Sequence, residues 1–302
     1  MEVTDHILSI PAEPAFYTGP QAPNVFMIVD GGEAALIDSG FGDEKSIKTR
    51  IDFLNEHPKL KLRYIVLTHH HFDHSSGAQQ LREASGAEIV LHGDEEKWLK
   101  DTSSDAPQDI EIPEDMKEMA KAVQKFRKQA AEGTPDMLIK GGDELKIGGL
   151  TLEVVHTPGH TVGSSCFYLR EEKALFTGDT ALGLGTVAIS PPPHGDMGQY
   201  LNSLEHLKSY DCALMLPGHG QNVNDVKSKL QELIDHRLER EKQVLDLLKD
   251  GKTTPKAQLK VIYMELDKRI VPMALRQIEA HLAKLEADGL VSRNGEEWAP
   301  VE

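Results

Sequence analysis

The sequence predicts a mixed α/β body over residues 1–222 followed by a small C-terminal winged-helix domain over residues 223–302. Strand-like and helix-like runs alternate along the first part, as they do where helices cross over between strands of one sheet. From about Val223 the apolar residues take up helical spacing instead. The chain then closes on two short extended runs around Asn294-Gly295, a dipeptide suited to the tight turn of a two-stranded wing.

The elements follow in order. "VFMIVD" (25–30) and "AALIDSG" (34–40) flank Gly31-Gly32 and read as a hairpin. "EKSIKTRIDFLNEH" (44–57) is a polar-faced helix, and "RYIVLT" (63–68) is a buried strand that empties into a histidine tract. "AQQLREAS" (78–85) reads as a helix and "AEIVLH" (87–92) as the next strand. The polar, proline-punctuated "DTSSDAPQDIEIPED" (101–115) interrupts the rhythm, and a helix over 116–132 ends at Gly133. This insertion suits either a lid or a plain surface excursion. Strand-like runs return in "LTLEVVH" (150–156), "SSCFYL" (164–169), "KALFTGD" (173–179) and "ALMLPGHG" (213–220). In the tail, Val226, Leu230, Leu233 and Ile234 share one face of a long helix. Thr254 caps a second helix ahead of Pro255, and a third ends at Gly289.

Composition narrows the function. At 39% hydrophobic and 27% charged, the chain reads as a soluble globular protein. No apolar run approaches the roughly 18 residues that a membrane-spanning helix needs, so no membrane association is expected. The opening "MEVTDHILSI" carries two acids and no basic stretch, unlike a secretory signal. Cys166 and Cys212 both sit in apolar runs and read as core residues, which makes a reducing cytoplasm the expected location. The net charge is −16, and all of it lies before residue 236, because residues 236–302 carry 12 Lys/Arg and 12 Asp/Glu. Such a body repels polyanions at long range.

"LTHHHFDH" (67–74) packs four histidines and an aspartate into one short tract. Where a strand end gives way to a loop, residues two apart can converge, so His69 and His71 form one pair and Asp73 with His74 a second. Imidazole nitrogen and carboxylate oxygen both suit Zn²⁺, which takes about four ligands. Three further ligand types stand at strand ends beside glycine: His160 in "TPGHT", Asp179 in "TGDT" and His219 in "PGHG". Glycine there permits sharp turns and close backbone approach.

These motifs resemble the metallo-β-lactamase superfamily. Thr68–His74 match its T-H-x-H-x-D-H signature, "TPGHT" (157–161), "GDT" (178–180) and "PGHG" (217–220) match its later ligand motifs in order, and "LIDSG" (36–40) matches an early strand whose acid is Asp38. The resemblance implies an αββα sandwich with a metal pair at one edge between two sheets. It implies one metal on His69, His71 and His160, the other on Asp73, His74 and His219, and Asp179 bridging both. Class B β-lactamases lack that aspartate bridge, which disfavours a dedicated β-lactamase. Flavin–di-iron relatives carry glutamate where this chain has His71, which favours zinc hydrolysis; persulfide dioxygenases keep the histidines but use one iron. The second half, including "GDTALGLGT" (178–186), "YLNSLEHL" (200–207) and the winged tail, is similar to a β-lactamase-like group that includes a mitochondrial single-stranded-RNA endoribonuclease.

The resemblance implies two Zn²⁺ per chain, with Mn²⁺ or Fe²⁺ as alternatives. Two such ions bring +4, which Asp73 and Asp179 reduce to +2, and a bridging hydroxide to +1. Metal-bound water ionises near pH 7, so hydroxide is available to attack a carbonyl. Asp73 and Asp38 are expected to serve catalysis from within this centre, Asp38 by orienting a ligand or the nucleophile. His194, in the proline-stiffened "SPPPHGD", is a candidate proton donor to a leaving group or a solvated loop residue. His70 and His156 adjoin ligands and are expected to point behind them or into solvent. Phe16 and Tyr17 are candidates for an apolar flap or for ordinary loop packing. The expected substrate is a small thioester, lactone or other activated ester, with single-stranded RNA as the alternative. A nucleic-acid-reading tail is disfavoured, because Arg276 and Lys284 face Glu279, Glu286 and Asp288 on its last helix. The tail is expected to be a structural cap, a substrate wall or a homodimer contact.

Overall fold

The computed structural model describes residues 1–10, 22–102, 117–267 and 270–301. The expected flap at Phe16 and Tyr17 and residues 103–116 of the expected lid lie outside them. The chain divides into two compact units. One comprises Met1–His156, Gly163–Gly185 and Asp211–Val226; the other comprises Thr157–Val162, Thr186–Tyr210 and Lys227–Glu302.

The first unit is built on two sheets. Strands β1 (Ile7–Ile10), β2 (Val25–Asp30), β3 (Glu33–Ile37), β4 (Lys61–Val66), β5 (Glu88–His92) and β6 (Met137–Ile139) form one sheet in chain order. Strands β7 (Glu144–Ile147), β8 (Leu150–His156), β9 (Ser165–Leu169), β10 (Ala174–Gly178) and β11 (Leu214–Pro217) form the other, in the order β11-β10-β9-β8-β7. β3 through β6 run parallel, and the chain crosses between them through helices α1 (Glu44–Glu56), α2 (Phe72–Ser75), α3 (Ala78–Ser85), α4 (Glu96–Lys100) and α5 (Lys117–Glu132). Asp43 caps α1 by accepting from the Ser46 N–H.

Strand periodicity divides these residues between two cores. Phe26, Ile28, Ile37 and Val66 face the second sheet and join Leu152, Val154, Phe167 and Phe176 in a core between the sheets. The rings of Phe26 and Phe176 meet there at 5.7 Å. The alternate residues Met27, Leu36, Ile65 and Ile89 face the other way and pack on Ile47, Ala78, Leu81 and Ala130 of the helices. The sandwich therefore sets strand ends of both sheets along one edge, and those ends carry the candidate ligands.

The second unit contains α6 (Met197–Leu207), α7 (Val226–Lys249, of which Val226 counts with the first unit), α8 (Pro255–Ile262), α9 (Val271–Ala287) and the hairpin β12 (Val291–Asn294) and β13 (Glu297–Pro300). Thr254 caps α8 by accepting from the Ala257 N–H, as its place before Pro255 suggests. Val244, Leu248, Ile278, Leu282, Leu285, Val291 and Trp298 form its core. The apolar stripe of the last helix is thus packed inside its own unit. Among the described residues no helix is long and apolar enough to cross a membrane.

Candidate metal centre

β4 delivers Thr68 and His69 to the sandwich edge, and the tract then turns into α2 rather than continuing as a loop. The His71 carbonyl accepts from the backbone N–H groups of both His74 and Ser75, which closes that short helix. On this helical turn Asp73 and His74 still bring their ligand atoms together, with His74 Nε2 3.7 Å from Asp73 Oδ2.

Asp38 organises the floor. It follows β3 in the left-handed region, with φ of 59°, and only 2% of it is exposed. Its Oδ1 accepts from the Thr68 N–H at 2.8 Å and its Oδ2 accepts from the Thr68 hydroxyl at 3.0 Å. The same Oδ2 lies 2.8 Å from His74 Nδ1. Beside this carboxylate Nδ1 carries the proton, so the Nε2 lone pair of His74 faces the centre. Thr68 Oγ1 also lies 2.9 Å from His69 Nδ1, which places His69 Nε2 3.0 Å from His71 Nδ1.

The remaining ligands arrive from the second sheet. His74 Nε2 lies 3.2 Å from His219 Nε2 and 3.4 Å from Asp179 Oδ1. His219 Nε2 lies 3.3 Å from Asp73 Oδ2 and 3.6 Å from Asp179 Oδ1, and His74 Nε2 lies 3.7 Å from Asp73 Oδ2. Within the first unit two groups of ligand atoms, each within 4.8 Å of one another, share His74: His69-His74-Asp179 and Asp73-His74-His219; His160 stands on the Thr157–Val162 segment of the second unit. Gly218 makes the convergence possible, because a Cβ there would stand 2.7 Å from Asp179 Oδ1 and 2.8 Å from His74 Cε1.

These separations fit a metal. Four ligands at about 2.0–2.1 Å from a tetrahedral ion stand about 3.3–3.4 Å apart. The contacts among Asp73, His74, Asp179 and His219 span 3.2–3.7 Å around that value. The donor set is one of imidazole lone pairs and carboxylates, and acceptors facing acceptors call for a cation. The local field agrees. Burial pulls the His74 imidazole down, but the carboxylates of Asp179, Asp73 and Asp38 outweigh it and push it up to about 10. His219 is likewise raised, against its burial, by Asp179 and by a bond to Asp73. Burial raises Asp73, yet the neighbouring His74, His219 and His71 hold it well below the usual carboxylate range.

Sequence reasoning missed several supports. Glu95 is fully buried, and one oxygen meets both the His70 N–H at 2.8 Å and His70 Nδ1, while the other accepts from the Gly163 N–H at 2.7 Å. Burial works against its charge, but His70 and the Gly163 N–H lower its pKa and keep it ionised. His70 is thereby turned away from the ligand groups. Asn24 donates from its side chain to the Pro217 and Gly220 carbonyls and from its backbone to Gly218, which braces the loop that bears His219. Arg50 is buried under the turn at Gly40, where burial lowers its pKa to about 10 and Asp43 opposes the shift.

His194 is half-buried in the loop ahead of α6 and is not in any clustered group among the described residues. His92, Asp94 and His156 form a separate cluster. The rings of His92 and His156 stack at 4.2 Å and 15°, so their in-plane lone pairs run side by side rather than converging on one ion.

A body of two packed sheets with clustered His/Asp triads at its edge is consistent with a dinuclear metal-hydrolase centre. Comparison with known proteins agrees. Residues 18–219 match the metallo-beta-lactamase superfamily, and residues 254–298 match the beta-lactamase associated winged helix domain. The chain belongs to the metallo-β-lactamase superfamily. Among its relatives is an atrochrysone carboxyl ACP thioesterase of Aspergillus fumigatus, 31% identical over 74% of this chain and 59% of the relative. The chain thus spans about 59% of that relative's length. A beta-lactamase-like protein 2 homolog of Caenorhabditis elegans is 28% identical over 90% of this chain and 81% of its own. In fold, a metallo-beta-lactamase family protein from Thermus thermophilus superposes with a TM-score of 0.80 at 23% identity, covering 99% of this chain and 100% of that one.

Proposed function

We propose that the protein is a dinuclear zinc hydrolase that cleaves a carbonyl substrate of the thioester, lactone or activated-ester type. The observation that carries this reading is the cage of Asp73, His74, Asp179 and His219, whose contacts of 3.2–3.7 Å suit a four-coordinate ion. In this reading His69, His71 and His160 would hold one metal, Asp73, His74 and His219 would hold the other, and Asp179 would serve both. A donor set rich in imidazole nitrogen would suit zinc better than harder, oxygen-preferring ions such as magnesium or calcium. The thioesterase relative, whose substrate is an acyl thioester by its name, supports carbonyl chemistry.

When bound, the metal pair supplies hydroxide at neutral pH and Lewis-acid stabilisation of the developing oxyanion. The chain's own residues prepare the site for it. Asp38 holds His74 in one tautomer and, through Thr68, orients His69. Asp73 and Asp179 offset part of the metal charge and leave the centre net positive. Glu95 keeps His70 from competing for the ions.

A substrate panel on one preparation tests the proposal: thioesters, lactones, activated esters, phosphodiesters and a fluorogenic single-stranded RNA. Ester or thioester turnover that is lost with chelator, with His71→Ala and with Asp179→Ala is the expected result. RNA cleavage lost with the same variants, alongside inert esters, would replace the ester reading with a phosphodiester one.

A further inference from the structure

We infer that Arg237 and Gln277, on the C-terminal helices α7 and α9, are positioning residues for the metal ligand His160. The inference rests on the ligand role proposed above, and it concerns contacts made within the second unit alone.

His160 stands on the six-residue segment Thr157–Val162, which groups with the C-terminal helices rather than with the strands on either side of it. Its Nδ1 lies 2.8 Å from the Ala188 carbonyl. A carbonyl only accepts, so Nδ1 is the protonated nitrogen and Nε2 is left as the ligand atom. The aim of His160 therefore depends on where Ala188 is held.

Ala188 is held by the tail. Arg237 Nη2 donates to the Val187 carbonyl at 2.5 Å, and the Ile189 N–H donates to Gln277 Oε1 at 2.9 Å. Both side chains are buried, at 2% and 7% exposure, where losing a polar contact is costly. A side chain from each helix thus grips the residue on one side of Ala188. The Arg237 guanidinium also lies over the Tyr200 ring, 5.3 Å from its centroid. Tyr200 in turn backs the histidine loop, since a Cβ at Gly159, where φ is +144°, would stand 2.4 Å from Tyr200 Cα. The Asp196 N–H donates to the Gly159 carbonyl at 2.9 Å, and the Ser203 hydroxyl donates to the Pro158 carbonyl at 2.8 Å. Arg237 therefore secures both the segment whose carbonyl accepts from His160 Nδ1–H and the helix that packs against the His160 loop.

Carbonyl or carboxylate partners behind a ligand histidine are worth about 10- to 100-fold in metal affinity. In the full-length protein, Arg237→Met and Gln277→Met are each expected to weaken one of two bound zinc equivalents by about that factor, leaving the other at wild-type affinity. The readout is competition for Zn²⁺ against a chromophoric chelator, with Co²⁺ ligand-field bands showing which centre has changed. Arg237→Lys, which keeps a cationic donor, should recover most of the loss. Folded variants that bind both equivalents as the wild type does would overturn the inference while leaving the proposed function standing.

A measurement on the wild type does not depend on the variants folding. Coupling between two sites is reciprocal, so zinc should slow hydrogen exchange at residues 186–190 and around Gln277, and should not do so in His160→Ala. Equal exchange with and without zinc would overturn the inference. A wild type that binds no divalent metal would overturn the reading of the centre, and this inference with it.

Discussion

Replacing Asp38 with asparagine isolates what its charge contributes. Asparagine fits the cavity and tolerates the left-handed backbone at φ 59°, so the fold around it is retained. The new side chain can still accept from the Thr68 N–H. Its amide nitrogen, however, meets the Thr68 hydroxyl and the His74 Nδ1–H, two donors that Asp38 Oδ2 now satisfies at 3.0 and 2.8 Å. Hydrogen bonds to a charged group contribute about 1.5–3 kcal/mol each, so losing two costs at least about 3 kcal/mol. For a unit of this size that lowers the melting temperature by about 6–12 °C. His74 also loses the partner that fixes its tautomer, which should weaken its metal by about 10- to 100-fold. Scanning calorimetry, together with chelator competition for zinc, measures both effects. An Asp38→Asn protein with wild-type zinc affinity would refute the claim that Asp38 sets the aim of His74.

Three further substitutions probe other parts of the account. Gly218→Ala should keep the sandwich folded by circular dichroism yet retain at most one zinc per chain by elemental analysis, because its methyl group would occupy the space between Asp179 and His74. Glu95→Gln should lower the denaturant midpoint by an amount corresponding to about 3 kcal/mol, since it breaks the pair between a fully buried carboxylate and the half-buried His70 and weakens the bond to Gly163. Glu241→Gln should destabilise the C-terminal unit by about 1 kcal/mol, because Glu241 lies 3.0 Å from Lys284 and both are partly exposed. Burial raises the Glu241 pKa, but bonds to His281 and Lys284 lower it overall. A depressed folded pKa means the stabilisation is complete above the ordinary value of 4.5 and is lost as pH falls through the folded one, so the gap between wild type and variant should close in acid.

All seven candidate ligands and Asp38 were legible in the sequence, because strand ends flanked by glycine confine them to short motifs. The clustered groups within the first unit hold His69, Asp73, His74, Asp179 and His219, and His71 lies against His69. The hairpins at Gly31-Gly32 and Asn294-Gly295 were legible for the same local reason, and the Thr254 cap with them. What escaped is long-range. Nothing in "HGDEEKW" distinguishes Glu95, whose partners lie 25 and 68 residues away, from its exposed acidic neighbours. Asn24 braces the His219 loop from about 195 residues away, again without a local signature. The grouping of residues 157–162 and 186–210 with the C-terminal helices is likewise a property of packing that no periodicity encodes.

Anomalous diffraction at the zinc edge, from the full chain loaded with zinc, addresses the centre without intermediaries. The account predicts two peaks about 3.5–4 Å apart. One should be bonded to His69, His71 and His160, the other to Asp73, His74 and His219, with an Asp179 oxygen reaching both. A single peak, or zinc bound anywhere other than among these residues, would contradict it.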